Sequence, residues 1–331
     1  MNSAAGKRKV LFITPDYMDY TSIVLDGITE YTNAETFLIT TTGKKLKFAY
    51  RNTFHRIQNF FSKLILNQNQ KKLFYNKIIK ERLETIFKEL QGFDDIFILR
   101  PDLIKEHLPF IKKHNNRMIA YFWDSFARVP EGRETIGYFD KFFSFEPKNV
   151  KDHNLLFLPN FYPPDLEINK EIKPQFDLSY VASADDRLTT LERILDSLNH
   201  LDLKTNINIL ATKTISPKNK NEKNITWFSD VLPRKETIRI MNDSKVLLDI
   251  SQPKQEGLSF RIFEAMKLEK KVITTNRSVI TYDFYNPNNI FIWQNESTVP
   301  SKEFFTTSYS PVSADIVKKY SLENWVQQIF E

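Results

Sequence analysis

The sequence predicts an α/β protein built from two doubly wound domains. Short apolar runs alternate with segments of helical periodicity along both halves of the chain, the pattern of parallel sheets covered by helices. The 331 residues are enough for two domains of ordinary size. Between the two sets of elements lies the proline-rich segment Pro159–Pro164, which is the best linker candidate because proline bars regular strand pairing. We therefore place the domains at residues 1–165 and 166–331.

In the first domain, apolar runs of four to six residues predict buried strands. The run Val10–Ile13, followed by Thr-Pro-Asp, is the clearest. Apolar residues near helical spacing predict helices at Ser22–Tyr31 and through residues 52–91. The predicted strands of this domain are Lys9–Thr14, Glu35–Thr40, Asp95–Leu99, Met118–Phe122, Lys141–Phe145 and Leu155–Leu158.

The second domain repeats the alternation. A polar stretch, residues 216–224, reads as an exposed loop. Helices are predicted at Thr189–Asn199, at Arg234–Asn242, around Glu264 and at Ser313–Glu331. The predicted strands are Asp177–Val181, Ile207–Ala211, Ile225–Phe228, Lys245–Ile250 and Val272–Thr275.

Composition excludes several classes of function. The chain has no cysteine, which excludes disulfides and thiolate chemistry. The five histidines are scattered without helical ligand spacing, and no Asp-x-Asp sequence follows a predicted strand, so we expect neither a metal site nor a divalent-metal requirement. The seven glycines form neither G-x-G-x-x-G nor a P-loop, which counts against a dinucleotide dehydrogenase and an ATPase.

The charge balance bears on partners and location. Formal net charge is +6, and the basic excess is concentrated between Lys44 and Arg82. The first explanation of this excess is that the basic residues lie on solvated helix faces. The second is attraction to an anionic inner membrane leaflet or an acidic glycan. Nucleic-acid binding ranks last, because no recognised motif appears. The N-terminal apolar run is too short for a signal sequence, and no stretch is long enough to span a bilayer. We expect a cytoplasmic protein without a nucleic-acid partner, and a peripheral contact with the inner membrane fits the basic excess.

The most informative motif is a pair of glutamates, Glu256 and Glu264, separated by seven residues. The first lies beside Gly257 in a turn after an apolar strand, and the second lies within a predicted helix. Glycine lets a ligand approach the backbone closely, and a helix N-terminus suits a diphosphate. The carboxylates can accept hydrogen bonds from sugar hydroxyls. This order of elements favours a nucleotide-sugar site, although two glutamates at this spacing are also common on solvated helices.

The segment from Leu232 to Asn276 resembles the donor-site signature of glycosyltransferases of the GT-B architecture, in which two Rossmann-like domains face each other across a cleft and a C-terminal helix crosses back to the first domain. Three further segments resemble a subset of bacterial enzymes that assemble lipopolysaccharide or capsule: Tyr121–Ser125, Phe139–Phe145 and Phe176–Val181. The resemblance implies a nucleotide-sugar donor bound by the C-terminal domain and a glycan or lipid-linked glycan acceptor bound by the N-terminal domain. The sequence departs from the family pattern at the phosphate contacts. Many relatives have an arginine and a lysine after the first strand of the second domain, and here only Arg187 lies near that place.

The resemblance also implies roles for individual residues. Glu264 would accept hydrogen bonds from the nucleotide ribose, and Glu256 would face the donor sugar. The remaining donor-site candidates are Gly257, Leu258, Ser259, Arg261, Arg187 and Ser183. For the two arginines the alternative is a structural ion pair, of Arg261 with Glu264 and of Arg187 with Asp185 or Asp186.

In the first domain, Asp124 and Asp16 follow predicted strands, and Arg100 is similarly placed. The carboxyl ends of parallel strands form the ligand crevice of open α/β sheets, so these residues are candidates for a catalytic base or for acceptor binding. The alternative for Asp124 is the N-cap of a following helix. The resemblance implies a retaining glycosyltransferase, and the lack of a metal-binding motif predicts that it is metal-independent. A sugar-nucleotide epimerase or phosphorylase and a non-catalytic carbohydrate-binding or scaffold protein of the same fold are the alternatives.

Overall fold

The computed structural model of the protein describes residues 7–17, 19–42, 70–90, 92–115, 117–168, 173–212 and 225–331. Most of the predicted helical region before residue 70, the basic residues from Lys44 to Lys63 and the loop 216–224 lie outside the described residues. The chain divides into two compact units. The first unit runs to Leu158 and also contains Val326–Glu331, and the second unit is Pro159–Trp325.

The first unit contains a six-stranded sheet in the described part of the chain. Its strand order is β2-β1-β3-β4-β5-β6, and every neighbouring pair is parallel. All of the predicted strands of this unit are present. The elements are β1 Lys9–Thr14, α1 Asp19–Thr32, β2 Glu35–Thr40, α2 Gln70–Glu89, β3 Asp95–Leu99, α3 Leu108–His114, β4 Met118–Phe122, β5 Lys141–Ser144, α4 Pro147–His153 and β6 Leu156–Phe157.

The central strands of this sheet are mostly apolar, as expected for parallel strands buried on both faces, and Asp95 at the start of β3 is the buried charged exception. Every residue of β3 and of β4 is buried, and so is β1 from Val10 onwards. One core cluster joins Leu11 and Ile13 with Ile96, Ile98 and residues of α2 and α3. Because the strands themselves are buried, the residues that follow them lie at the edge of the sheet.

Among its described residues, the second unit contains another six-stranded parallel sheet, in the order β12-β11-β10-β7-β8-β9. The five predicted strands are present, and Ile290–Ile292 adds a short edge strand that the sequence analysis missed. The elements are β7 Phe176–Ser183, α5 Leu188–Leu198, β8 Thr205–Leu210, β9 Ile225–Phe228, α6 Arg234–Asn242, β10 Ser244–Asp249, α7 Phe260–Lys267, β11 Lys271–Thr274, β12 Ile290–Ile292, α8 Lys302–Thr306, α9 Ala314–Lys319 and α10 Leu322–Phe330.

The proline-rich segment after Leu158 belongs to the second unit, so the boundary falls earlier than the residue 165 expected from sequence. Tyr162 N–H donates to the Tyr320 carbonyl at 2.9 Å, and Leu322 N–H donates to the Tyr162 carbonyl at 3.2 Å. The Phe161 ring also packs on Trp325, with centroids 4.8 Å apart. These contacts hold the segment within the second unit.

The last residues of the chain return to the first unit, as the predicted architecture requires. Phe330 packs on Phe97, and its carbonyl accepts hydrogen bonds from Arg8 Nη2 and Arg117 Nη2, both at 3.2 Å. Both guanidinium groups also pair with the fully buried carboxylate of Asp95. Cationic side chains at a helix C-terminus stabilise its last carbonyls.

All strands within each sheet are parallel, so the loops that follow them collect at one edge, the carboxyl edge of that sheet. The predicted site residues of each unit lie at this edge of their own sheet. No helix in the described part of the chain is long and apolar enough to cross a membrane.

Candidate functional site

In the second unit, the loop between β10 and α7 carries the Glu256–Gly257 pair. Glu256 is exposed, and Gly257 and Leu258 are buried. Asn276 Nδ2 donates to the carbonyls of Glu256 and Gly257, at 3.2 Å in both cases. Because the C=O and N–H of a trans peptide point in opposite directions, the N–H groups of Gly257 and Leu258 point away from Asn276. The loop therefore has a fixed backbone orientation.

The start of α7 is not capped by its own side chain. Ser259 occupies the N-cap position, but its hydroxyl donates to Asp249 Oδ1 at 2.6 Å instead of accepting from the first turn. Asp249 is buried at the end of β10, and its other oxygen accepts from Thr274 Oγ1 at 2.8 Å. The Ser259 side chain therefore accepts no hydrogen bond from the N–H groups of the first turn. A helix start of this kind, at the positive end of the helix dipole, suits an anionic ligand.

Glu264 lies in the second turn of α7, and its side chain is only 5% exposed. Its Oε1 accepts from Arg234 Nη1 at 3.2 Å, and its Oε2 lies 3.9 Å from Arg261 Nε. Favourable dipole interactions fade beyond the first turn of a helix, so the guanidinium groups, and not the dipole, balance this buried charge. The carboxylate of Glu264 is therefore held by two guanidinium groups.

Arg261 connects α7 to the neighbouring strand β7. Its Nη2 donates to the Val181 carbonyl at 3.2 Å, while its Nε is buried without a hydrogen-bond partner. The ion pair with Glu264 expected as the structural alternative is present, but at a length beyond hydrogen bonding. Arg261 is thus oriented by the Val181 carbonyl as well as by the Glu264 carboxylate.

Arg187 follows β7, and its guanidinium forms a fork with Asp185, with Nε–Oδ1 at 2.9 Å and Nη2–Oδ2 at 2.8 Å. Nη1 donates to the Ile250 carbonyl at 3.1 Å, and Gln252 Nε2 donates to Asp185 Oδ2 at 3.1 Å. Burial acts to lower the pKa of Arg187, but the bond to Asp185 raises it, so the group stays charged. These bonds tie the loop after β7 to the loop after β10, and Ser183 is exposed beside them.

The first unit places a charged cluster at the carboxyl edge of its sheet. Arg100 follows β3 and makes a fork with Asp102, with both bonds at 2.8 Å, and its Nη1 reaches Asp124 Oδ2 at 3.2 Å. Arg100 adopts a left-handed backbone conformation, φ 56° and ψ 63°. For a residue other than glycine this conformation costs free energy, and such strain is concentrated at functional sites.

Asp124 follows β4 and does not cap a helix. The next helical segment begins at Pro130 and has Val129 at its N-cap position. The Asp124 Oδ1 atom accepts from Ser125 N–H at 3.0 Å, and Arg128 Nη1 lies 3.8 Å away. The carboxylate therefore lies between two arginines.

Aromatic rings surround this cluster. Trp123 meets Tyr17, Tyr20 and Tyr121 edge to face, with centroids 5.2, 6.4 and 6.1 Å apart. Burial raises the pKa of the Tyr17 hydroxyl, and the nearby Arg100 only partly opposes that rise. Rings and carboxylates together are a common way to hold a sugar, whose faces are apolar and whose rim is polar.

Asp16 also lies at this edge, after β1. It is exposed, and its backbone N–H donates to Thr42 Oγ1 at 3.0 Å. Its neighbour Tyr17 contacts Trp123, which precedes Asp124. The structure thus brings the loops after β1, β3 and β4 together, as the topology predicts.

Sequence reasoning missed several residues of these clusters. Asn276 follows a buried strand, the signal that identified Asp124, and could have been found in the same way, whereas Asp249 lies within β10. Asp165 and Arg234 had no local signal, because they meet across 69 positions of sequence. Among the residues that the structure describes, no group of three or more His, Asp and Glu side chains is arranged to hold a metal ion.

No protein-family model matches the chain, and no curated protein is significantly similar to it. Solved structures are similar over nearly its whole length. HepE of Anabaena, crystallised with UDP and glucose, is 9% identical with a TM-score of 0.60, and the match covers 98% of this chain and 98% of HepE.

Two further structures have the same TM-score of 0.54. Sucrose-phosphate synthase from Thermosynechococcus elongatus is 9% identical, with 98% of this chain and 95% of its own covered. UDP-N-acetylglucosamine 2-epimerase from Rickettsia bellii is 12% identical, with 98% and 96% covered. Two six-stranded parallel sheets covered by helices, matched across the whole chain, show that this protein has the GT-B fold.

Proposed function

We propose that this protein is a glycosyltransferase that moves a sugar from a nucleotide-sugar to a glycan or lipid-linked glycan. The observation that carries the proposal is the buried Glu264, held between Arg234 and Arg261 on a helix whose N-cap side chain is engaged elsewhere. A buried carboxylate suits the ribose hydroxyls, and a helix N-terminus suits the diphosphate. HepE, whose structure contains UDP and glucose, has the same fold.

The donor would bind along the carboxyl edge of the second sheet. Gly257, Leu258 and Ser259 would donate backbone N–H groups to the diphosphate or the sugar, and Glu256 would accept from sugar hydroxyls. Arg187 and Arg261 would balance the charge of the departing diphosphate without a metal ion. Both guanidinium groups are already oriented by carbonyl groups at the ends of β10 and β7, respectively, which lowers the cost of reorganisation.

The acceptor would bind at the carboxyl edge of the first sheet. Asp124 is the candidate base, and Asp16 is a candidate acceptor contact. The rings of Tyr17, Tyr20 and Trp123 offer apolar faces on which a sugar can stack. A place in surface polysaccharide or lipopolysaccharide assembly, and retention of anomeric configuration, are proposals supported by the resemblance of the sequence signature.

A sugar-nucleotide epimerase is the second candidate, favoured by the fold likeness to the Rickettsia bellii epimerase. Both enzymes would bind the nucleotide in the second unit, but only a transferase would move the sugar to a separate acceptor. An epimerase would return an isomer of the nucleotide-sugar. A scaffold protein would do neither.

The test has two steps. Thermal-shift screening against UDP, GDP, CMP and TDP should identify one nucleotide that raises the melting temperature, because a ligand specific to the folded state stabilises it by mass action. Incubation with the matching nucleotide-sugars, without acceptor, should then release the free nucleotide slowly by hydrolysis. Isomerised donor with no release would indicate the epimerase. A protein that binds no nucleotide and leaves every donor intact would refute the proposal.

A further inference from the structure

Arg234, the first residue of α6, bonds to two carboxylates at once. Its Nε lies 2.5 Å from Asp165 Oδ2 and its Nη2 lies 2.8 Å from Asp165 Oδ1, while its Nη1 donates to Glu264 Oε1 at 3.2 Å. The arginine side chain is 11% exposed. The three residues form a chain of alternating charge that ends at the candidate ribose ligand.

The fork with Asp165 fixes the plane of the guanidinium group. Two parallel bonds between an arginine and a carboxylate restrict rotation in a way that a single bond does not. With Nε and Nη2 engaged, Nη1 can point in one direction only, and that direction is towards Glu264. Asp165 follows Pro163–Pro164, where the fixed φ angles of proline stiffen the chain.

Glu264 has three side-chain torsions, so the helix alone does not decide where its carboxylate points. The bond from Arg234 engages one oxygen atom of the carboxylate. A carboxylate offers about four lone-pair sites, so this bond orients the group and uses only one site. The second oxygen, near Arg261, is oriented by the same bond.

We propose that Arg234, held by Asp165, is a positioning residue that orients Glu264 towards the 2′,3′-diol of the bound ribose. It thereby makes the protein prefer ribonucleotides to 2′-deoxyribonucleotides. This inference rests on the proposed function and deepens it. A site oriented to accept a hydrogen bond from a hydroxyl group discriminates strongly against an analogue that lacks the hydroxyl.

Calorimetry with paired ligands tests the inference. The probes are UDP, ADP, GDP and CDP, and the tightest binder is compared with its 2′-deoxy counterpart on wild type, Arg234→Lys and Asp165→Asn. Arg239→Gln is the matched control, because Arg239 lies on the same helix and pairs with Glu236 at an exposed position. Wild type should bind the ribo form at least about 10-fold more tightly than the deoxy form, the ratio for one charged hydrogen bond.

In Arg234→Lys the charge remains but the fork is lost, so the ratio should fall to about 1–3, and the deoxy form, which keeps the 3′-hydroxyl, should lose less affinity than the ribo form. Asp165→Asn should give an intermediate ratio, and Arg239→Gln should keep the wild-type ratio. A merely structural role would weaken both ligands equally and lower the melting temperature.

The outcomes separate this inference from the proposed function. Variants that keep the wild-type ratio, or that lose affinity for both ligands in equal proportion, would overturn the positioning role while nucleotide binding stands. Wild type that binds the deoxy form as tightly as the ribo form would also overturn it. Wild type that binds no nucleoside diphosphate would refute the proposed function, and the inference with it.

Discussion

Replacing Asp124 with asparagine tests the acceptor half of the proposal. The substitution keeps the size and shape of the side chain, and its amide oxygen can still accept from Ser125 N–H. It removes the negative charge that faces Arg100 at 3.2 Å. Arg100 keeps its fork with Asp102, so no buried guanidinium group is left without a partner.

The two expected effects differ in size. If Asp124 is the general base, its loss should lower turnover by about 10²–10⁴-fold. Loss of one charge-assisted hydrogen bond should lower the free energy of unfolding by about 1–3 kcal/mol. Domains are stable by about 5–15 kcal/mol, so the variant should fold.

The assay is turnover of the nucleotide-sugar, measured together with calorimetric affinity for the nucleoside diphosphate. Asp140→Asn is the control, because Asp140 accepts from Met118 N–H at the opposite end of the same strand, β4. The control should change stability but not turnover. Turnover by Asp124→Asn within about threefold of wild type would refute the base assignment, and so would a loss confined to nucleotide affinity.

Three further predictions concern the donor half and the fold. Glu264→Gln should weaken nucleoside diphosphate binding by about 1–3 kcal/mol, measured by calorimetry, and unchanged affinity for every nucleotide would exclude its role. Turnover should survive EDTA, and an enzyme that needs added manganese or magnesium would contradict the arginine assignment. Burial lowers the pKa of His107 from its usual 6.5, so the unfolded chain takes up the proton first and stability falls as pH drops below 6.5 towards the folded-state pKa. Thermal unfolding of His107→Gln should show a smaller loss between pH 7 and pH 5, and an unchanged loss would exclude this histidine as its source.

The central strands could be predicted from sequence because they are buried on two faces. Parallel strands of this kind have continuous apolar sequences, such as Val10–Ile13 and Met118–Phe122. Because they all run in the same direction, their carboxyl ends lie at the same edge of the sheet. The strand Ile290–Ile292 was missed because three residues at a sheet edge carry too little pattern. The α/β class with parallel sheets needed only these local signals, whereas the GT-B architecture was expected from the resemblance of the segment that contains Glu256 and Glu264.

The partners of the site residues could not be predicted in the same way. Arg187 and Asp185 are two positions apart, and their pairing was foreseen as an alternative. Arg234 meets Asp165 across 69 positions and Glu264 across 30, distances over which a single sequence records no signal. The side-chain partners that hold a site are set by tertiary packing, which periodicity and spacing do not encode.

Hydrogen–deuterium exchange with and without the tightest-binding nucleoside diphosphate tests the central claim most directly, because it locates the ligand without assuming a reaction. We predict slower exchange in the loop and helix start from Ile250 to Phe263 and in the loop from Ser183 to Arg187, both at the carboxyl edge of the second sheet. No change at saturating nucleotide would contradict the claim, as would protection only at the opposite edge of that sheet, around Asp202–Lys204.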